Sequence, residues 1–245
     1  MTGISVRTTD ADGVTVVTPL GRLDLSTYGP LRDSLLKCAA GTPSALVVRL
    51  GPDFEVASRA MLALFTTVWM KISQWPDIPL VLACETEIHR HDLKRSGAGR
   101  FVTTAAGVPE ALAILRRSPP RRFHRVQLPN SPTAPLIART EVRDVCARWD
   151  VASLTGDAVF VASELTENVV RHARSESVLR LELRPGALSI AVRDTDPRLA
   201  VLTTEEGPRG LEMVDQMCVA WGTMPHAGGG KVVWAVLPRI VRPGE

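Results

Sequence analysis

The chain is short of cysteine, of aromatic residues, of long apolar runs and of charge of either sign in excess. Its four cysteines, Cys38, Cys84, Cys146 and Cys218, lie far apart and no CxxC pair occurs. That argues against a disulfide framework and for reduced, mostly buried thiols of a cytoplasmic protein. Aromatics are 4% of the chain, and the formal net charge is only +3. So weak a charge is no basis for a nucleic-acid or membrane partner. No apolar run approaches the roughly 20 residues that cross a bilayer, and the opening MTGISVRTTDADG has no apolar signal core. What is present is ordinary globular material, 45% hydrophobic and 22% charged. Two domains of about 100–120 residues could each bury a core.

Residues 116–135, RRSPPRRFHRVQLPNSPTAP, mark the break, with five prolines and five arginines. Proline removes a backbone donor and restricts its predecessor, so regular structure is not expected through Ser118–Arg121, although Val126 and Leu128 could belong to a short strand. No aromatic ladder accompanies the arginines, which favours a solvated linker over an anion-binding tract. The division is therefore 1–117, a linker 118–122, and 123–240.

Before the break, strands and helices alternate. Strands are expected at Gly13–Pro19, Ala45–Leu50 and Leu80–Cys84, where β-branched and apolar residues cluster. Helices are expected at Ser26–Ala40, capped by Ser26 or Thr27, at Ser58–Gln74, at 87–96 with Gly97 as C-cap, and at Val108–Leu115. This order implies an α/β fold with a parallel or mixed sheet. After the break come two helices, Thr133–Trp149 and Leu154–Ala173, then a hairpin of Val178–Arg184 and Ala187–Asp194. A helix at Gly210–Trp221 and a strand at Gly230–Leu237 follow. Helices followed by an antiparallel sheet predict an α/β sandwich with one helical layer.

Three features of the second half carry chemistry. In GDAVFVASELTENVVRHARS, Ala158, Val161, Leu165 and Val169 form an apolar stripe, while Glu164 and Asn168 stack one turn apart. By spacing alone, a solvated helix face is the commoner explanation. The functional alternative is a Mg²⁺ site, with the Asn oxygen as a hard ligand and the Glu orienting or deprotonating a nucleophile. Second, Asp194 in RDTDP could accept a hydrogen bond from an exocyclic amine, or simply form a turn before Pro197. Third, Gly207-Pro208-Arg209-Gly210-Leu211 precedes an apolar helix, where backbone N–H groups and the helix dipole favour phosphate; glycine also merely ends loops.

In this order the features resemble one family. SELTENVVRHA resembles the N-box of the GHKL (Bergerat-fold) ATPases, RDTDP a reduced form of their G1 box, and GPRGLEMVDQM with GGGKVVWAVLP their G2 region and closing strand. Within that superfamily the segment 121–240 is most similar to the anti-sigma-factor serine kinases of actinobacterial type. The resemblance implies ATP and Mg²⁺ as ligands. It implies Asn168 as the Mg²⁺ ligand, Glu164 as the general base and Asp194 as the adenine acceptor. Arg209, Gly210 and Leu211 would lie at the phosphates, Gly207 in a lid, and His172 in a supporting role. Two departures bear on nucleotide affinity. Asp196 and Pro208 stand where the boxes carry glycine, so an anion faces a polyanion and one N–H is missing.

The first half, from GVTVVTPLGRLDLSTYGPLRDSL to the end of 3–115, resembles STAS domains, the fold of anti-sigma-factor antagonists. The place of their phosphoacceptor motif reads Ala57-Ser58-Arg59-Ala60, with Arg59 at the acceptor position and Ser58 as a helix N-cap or a residual acceptor. His89 and His91 form an H-x-H pair, expected to be solvated rather than metal-binding.

The fold class implied is therefore a STAS-like mixed β-sheet with helices, then a Bergerat-type α/β sandwich. The leading expectation is a partner-switching regulator whose second domain is a serine/threonine kinase. Its partners would be a STAS-domain antagonist, a sigma factor or both, with homodimerisation left open and no nucleic acid or membrane involved. The alternative is a non-catalytic, pseudokinase-like binding module.

Overall fold

The computed structural model describes residues 3–117, 122–198 and 209–239; for 209–211 it describes the backbone alone. By internal contacts the chain divides into two compact units, Met1–Pro119 and Pro120–Glu245. Each is α/β, the first built on a mixed sheet and the second on an antiparallel one.

Unit 1 opens with a hairpin of β1 (Ser5–Ala11) and β2 (Val14–Leu23). Its two-residue loop, Asp12-Gly13, has φ of 54° and 80°, the positive values that a right-twisted hairpin requires. From β2 the sheet runs parallel through β3 (Ala45–Leu50), β5 (Leu80–Cys84) and β6 (Thr103–Ala105), and the short β4 (Phe54–Val56) pairs with β2. The helices are α1 (Leu25–Ala40), α2 (Ala63–Gln74), α3 (Glu87–Ser96) and α4 (Val108–Leu115).

Three local expectations are corrected in this unit. The cap of α1 is Asp24, not Ser26 or Thr27. Asp24 Oδ1 accepts from the Ser26 and Thr27 backbone N–H groups at 2.9 and 3.1 Å, and Thr27 Oγ1 accepts from Asp24 N at 2.9 Å. An Asp-x-x-Thr box satisfies two orphan donors reciprocally, which a lone serine could not do. The expected helix from Ser58 opens instead as a 3₁₀ turn, Arg59–Leu62, and the Ser58 side chain makes no capping bond. His89 is buried, not solvated: Nε2 donates to the Phe54 carbonyl at 2.9 Å, and Nδ1 lies 2.8 Å from Thr86 Oγ1. Nε2 thereby joins α3 to β4 and Nδ1 is held by the helix's own cap residue, whereas His91 is exposed.

Unit 2 begins with β7 (Arg122–Leu128), so the expected linker's last residue is already in a strand. Then come α5 (Ala134–Arg148), α6 (Thr155–Asn168), β8 (Ser177–Arg184), β9 (Ala187–Asp194), α7 (Arg209–Met217), β10 (Ala220–Pro225) and β11 (Lys231–Pro238). The sheet order is β10-β11-β9-β8-β7. Side chains alternate across it, so Leu179, Leu181, Ile190, Val192, Val233 and Ala235 share one core. That core also holds Ala138, Val142 and Val145 of α5, Ala158, Val161 and Leu165 of α6, and Val214 of α7. The helix expected to reach Trp221 stops at Met217; Trp221 belongs to β10, and its indole N–H donates to Asp215 Oδ1 at 2.6 Å.

The apolar stripe of α6 is what holds its polar edge in place. Leu165 is fully buried between Glu164 and Thr166. Leu165→Ala is expected to cost about 2–5 kcal/mol through lost burial and the cavity left behind. Denaturant titration, followed at a unit 2 tryptophan, should show the loss as a lower midpoint.

Candidate functional site

The site is built on the C-terminal end of α6. Glu164 and Asn168 are both half-buried. Among the described residues neither side chain has a hydrogen bond or ion pair, whereas neighbouring Glu167 is paired with Arg171 at 3.5 Å. Burial raises the Glu164 carboxyl above its ordinary pKa; the Glu167 charge adds to this and Arg171 opposes it.

The α-helix does not run on to Ala173. It ends at Asn168, and Val169–Ala173 forms a π turn closed by Arg174 in the left-handed region, φ 49°. A π turn holds one residue more than an α turn, and such turns concentrate at functional sites. In a continuing α-helix His172 would stack above Asn168; the wider turn breaks that alignment. His172 is exposed, and its backbone carbonyl accepts from Arg198 Nη2 at 3.5 Å.

Asp194 closes β9, and the segment after it is stitched to the end of the π turn. Besides the Arg198 bond to His172, Thr195 N donates to Ser175 Oγ at 3.4 Å. Asp196 N donates back to Asp194 Oδ1 at 2.8 Å, forming a tight Asx turn. The Asp196 carboxylate is held by Arg198 at 2.9–3.1 Å. That guanidinium, then the Arg198 backbone N–H, lowers its pKa to about 2. The tie is complete above the ordinary carboxylate range and is lost only as pH falls through about 2.

A residue to which sequence reasoning gave no role completes the cluster. Lys231, the first residue of β11, is paired in register with Asp194. Its ammonium lies 3.1 Å from Asp194 Oδ1 and 3.1 Å from Oδ2, with side-chain exposures of 8% for Lys231 and 1% for Asp194. It also donates to the Asp196 carbonyl at 3.3 Å. Burial raises the Asp194 pKa, and the Lys231 hydrogen bond pulls against it. The signal was present in the sequence as a lone lysine after Gly228-Gly229-Gly230, but only strand register shows what it faces.

The segment expected at the phosphates is described only in part. Arg209, Gly210 and Leu211 form the start of α7 as described, while Gly207 and Pro208 lie outside the described residues. Among the described residues no group of three or more His, Cys, Asp or Glu could hold a metal. The residues present suit Mg²⁺ carried by a polyphosphate, which takes one or two protein oxygens and keeps water and phosphate for the rest. In unit 1, Ser58 is exposed, and Arg59 lies 3.8 Å from Asp92. Among the described residues no helix is long and apolar enough to cross a membrane.

No family model matches the chain, and no curated protein matches it. Solved structures do. An anti-sigma factor antagonist from Mycobacterium paratuberculosis is similar over 46% of this chain and 94% of its own, at 24% identity and a TM-score of 0.39. The protein TM1081, solved by NMR, is similar over 45% of this chain and 88% of its own, at 17% identity and a TM-score of 0.40. The RsbU and RsbW domains of Rv1364c from Mycobacterium tuberculosis are similar over 74% of this chain at 19% identity and a TM-score of 0.37; the chain spans 48% of that protein.

Proposed function

We propose that the chain is a regulator of the partner-switching type, a STAS-like unit followed by a GHKL-like unit. In this reading the second unit binds Mg-ATP and phosphorylates a serine of a separate STAS-domain antagonist, and so controls a sigma factor. The observation that carries the reading is the open Glu164–Asn168 edge of α6, half-buried, unpaired among the described residues, and ended by a π turn to which the Asp194 segment is stitched. The raised pKa of that carboxylate, from burial first and then the Glu167 charge, suits a group poised to take a proton.

Mg-ATP, when bound, supplies the phosphoryl group and the cation that neutralises its charge. Asn168 Oδ1 is the ligand offered to the metal. Glu164 takes the proton of the acceptor serine as its oxygen bonds to the γ-phosphorus. The bond from that phosphorus to the bridging oxygen breaks, and ADP leaves with the electron pair. Asp194 is the acceptor offered to the base, and here the fit is incomplete because Lys231 already engages it.

Asn168→Ala is expected to weaken Mg-ATP binding by at least about tenfold, since the metal loses its one neutral protein oxygen. Calorimetry of the full chain with ATP, with and without Mg²⁺, reads this directly; unchanged affinity would remove Asn168 from the site. The Asp194–Lys231 pair favours a second reading, a non-catalytic module that binds partners without transferring phosphate. Mg-ATP binding with no incorporation into any STAS antagonist would select it.

A further inference from the structure

The candidate base acceptor and the residue that fills it belong to the same sheet. Asp194 Oδ1 receives two hydrogen bonds, from Lys231 Nζ and Asp196 N, and Oδ2 lies 3.1 Å from the same ammonium. A carboxylate has about four acceptor positions, so most of its capacity is spent within the protein. The lysine's contribution is charge-assisted and buried, which makes it stronger than the bond a neutral aromatic amine could offer.

Lys231 is also fixed in place. Its Cα is opposite that of Asp194 in the β9–β11 ladder. The preceding Gly230 sits at φ +74°, so close to the Asp194 backbone that an added Cβ would lie 1.9 Å from the Asp194 carbonyl oxygen. The strand therefore starts hard against Asp194, and the lysine has nowhere to begin but over its carboxylate. Two other acceptors are near: the Asp196 carbonyl at 3.3 Å, and the Asp196 carboxylate, 3.9 Å away and already held by Arg198.

We propose that Lys231 is an internal occupant of the base-recognition acceptor, its ammonium standing where the exocyclic amine of a 6-aminopurine nucleotide would bind, so that Lys231 sets both affinity and base selectivity. The proposal rests on the reading of Asp194 as base acceptor. It explains why the Glu164–Asn168 end of the site is open while the Asp194 end is satisfied. An incoming 6-amino group must displace an ammonium, and a 6-oxo base loses nothing by comparison, so the native chain discriminates poorly between them.

The test uses the full chain, with Mg-ADP and Mg-IDP as probes differing in the 6-amino and 6-oxo groups. Lys231→Thr places a β-branched residue, well suited to a strand, at this position and frees the carboxylate. By calorimetry this variant should bind ADP at least about tenfold more tightly than the native chain and prefer ADP to IDP by about tenfold or more, the worth of one well-placed hydrogen bond. No gain for ADP, or equal gains for both nucleotides, overturns the proposal. If that variant does not fold, Lys231→Thr with Asp194→Asn removes both charges together. Its amide can accept from a 6-amino group or donate to a 6-oxo group, so affinity for both probes should rise, and no rise in either overturns the proposal. Native chain that already binds ADP tightly and prefers it to IDP, with nothing added by Lys231→Thr, sinks the lysine's role but leaves the nucleotide-binding reading standing. Conversely, a gain in the lysine variant that is indifferent to Mg²⁺ and to Asn168→Ala supports the lysine's role and removes the metal site from the proposed function.

Discussion

Glu164→Ala should abolish phosphate incorporation into a serine of a STAS-domain antagonist, a fall of about 10²–10⁴-fold for loss of a positioned base, while Mg-ATP affinity is kept. The two effects separate because in the proposed function the carboxylate meets the acceptor hydroxyl rather than the nucleotide. Radiolabel transfer to purified antagonist, set beside calorimetry of the same variant, checks both. The pH profile of the native chain supplies a second signature. Burial first, and then the Glu167 charge, raises the Glu164 pKa. A general base works when deprotonated, so activity should be lost as pH falls, with a midpoint above the ordinary glutamate value of about 4.3. Glu164→Gln should remove that acidic limb along with the activity. Variants that transfer phosphate at the native rate would leave the helix edge without a catalytic role.

Gly230→Ala is expected to be the most damaging single methyl group in unit 2. The new Cβ would meet the Asp194 carbonyl oxygen at 1.9 Å and Thr195 Cα at 2.7 Å. Both are backbone atoms at the end of a sheet strand and cannot swing aside. The left-handed φ of +74° adds a further 1–2 kcal/mol or so for an L-residue. A loss above about 4 kcal/mol is the scale reached when backbone strain and overpacking combine. Gly229→Ala is the built-in control. Its φ is +85°, but nothing lies within 4 Å of the added atom, so only the conformational cost of about 1–2 kcal/mol remains. Denaturant titrations of the two variants, followed at Trp234 on β11, should differ accordingly. Similar midpoints would show that the strand start is not wedged against Asp194.

The elements that sequence pattern missed share a cause. β1 carries SVRTTDA and is mostly exposed, so it shows no apolar alternation; the Asp12-Gly13 turn that joins it to β2 was not read as a hairpin. β4 and β6 have three residues each, too few for a period to register. β10 was absorbed into the helix before it, because the apolar residues around Val219 and Trp221 fit a helical stripe as well as a strand. Long periodic segments were legible for the opposite reason. Ala158, Val161 and Leu165 recur over several turns, and the β8–β9 hairpin alternates over eight residues on each side.

By itself the sequence determined the α/β class of both units and the helix on which Glu164 and Asn168 stand. These follow from composition and periodicity, which act over neighbouring residues. Only the tertiary structure decided that the helix turns to a π form after Asn168, that His89 is a buried strut, and that Lys231 engages Asp194. The last pair is 37 positions apart in the chain. It exists because the β9–β11 register sets those two residues opposite each other, and register is fixed by which faces of the strands enter the shared core.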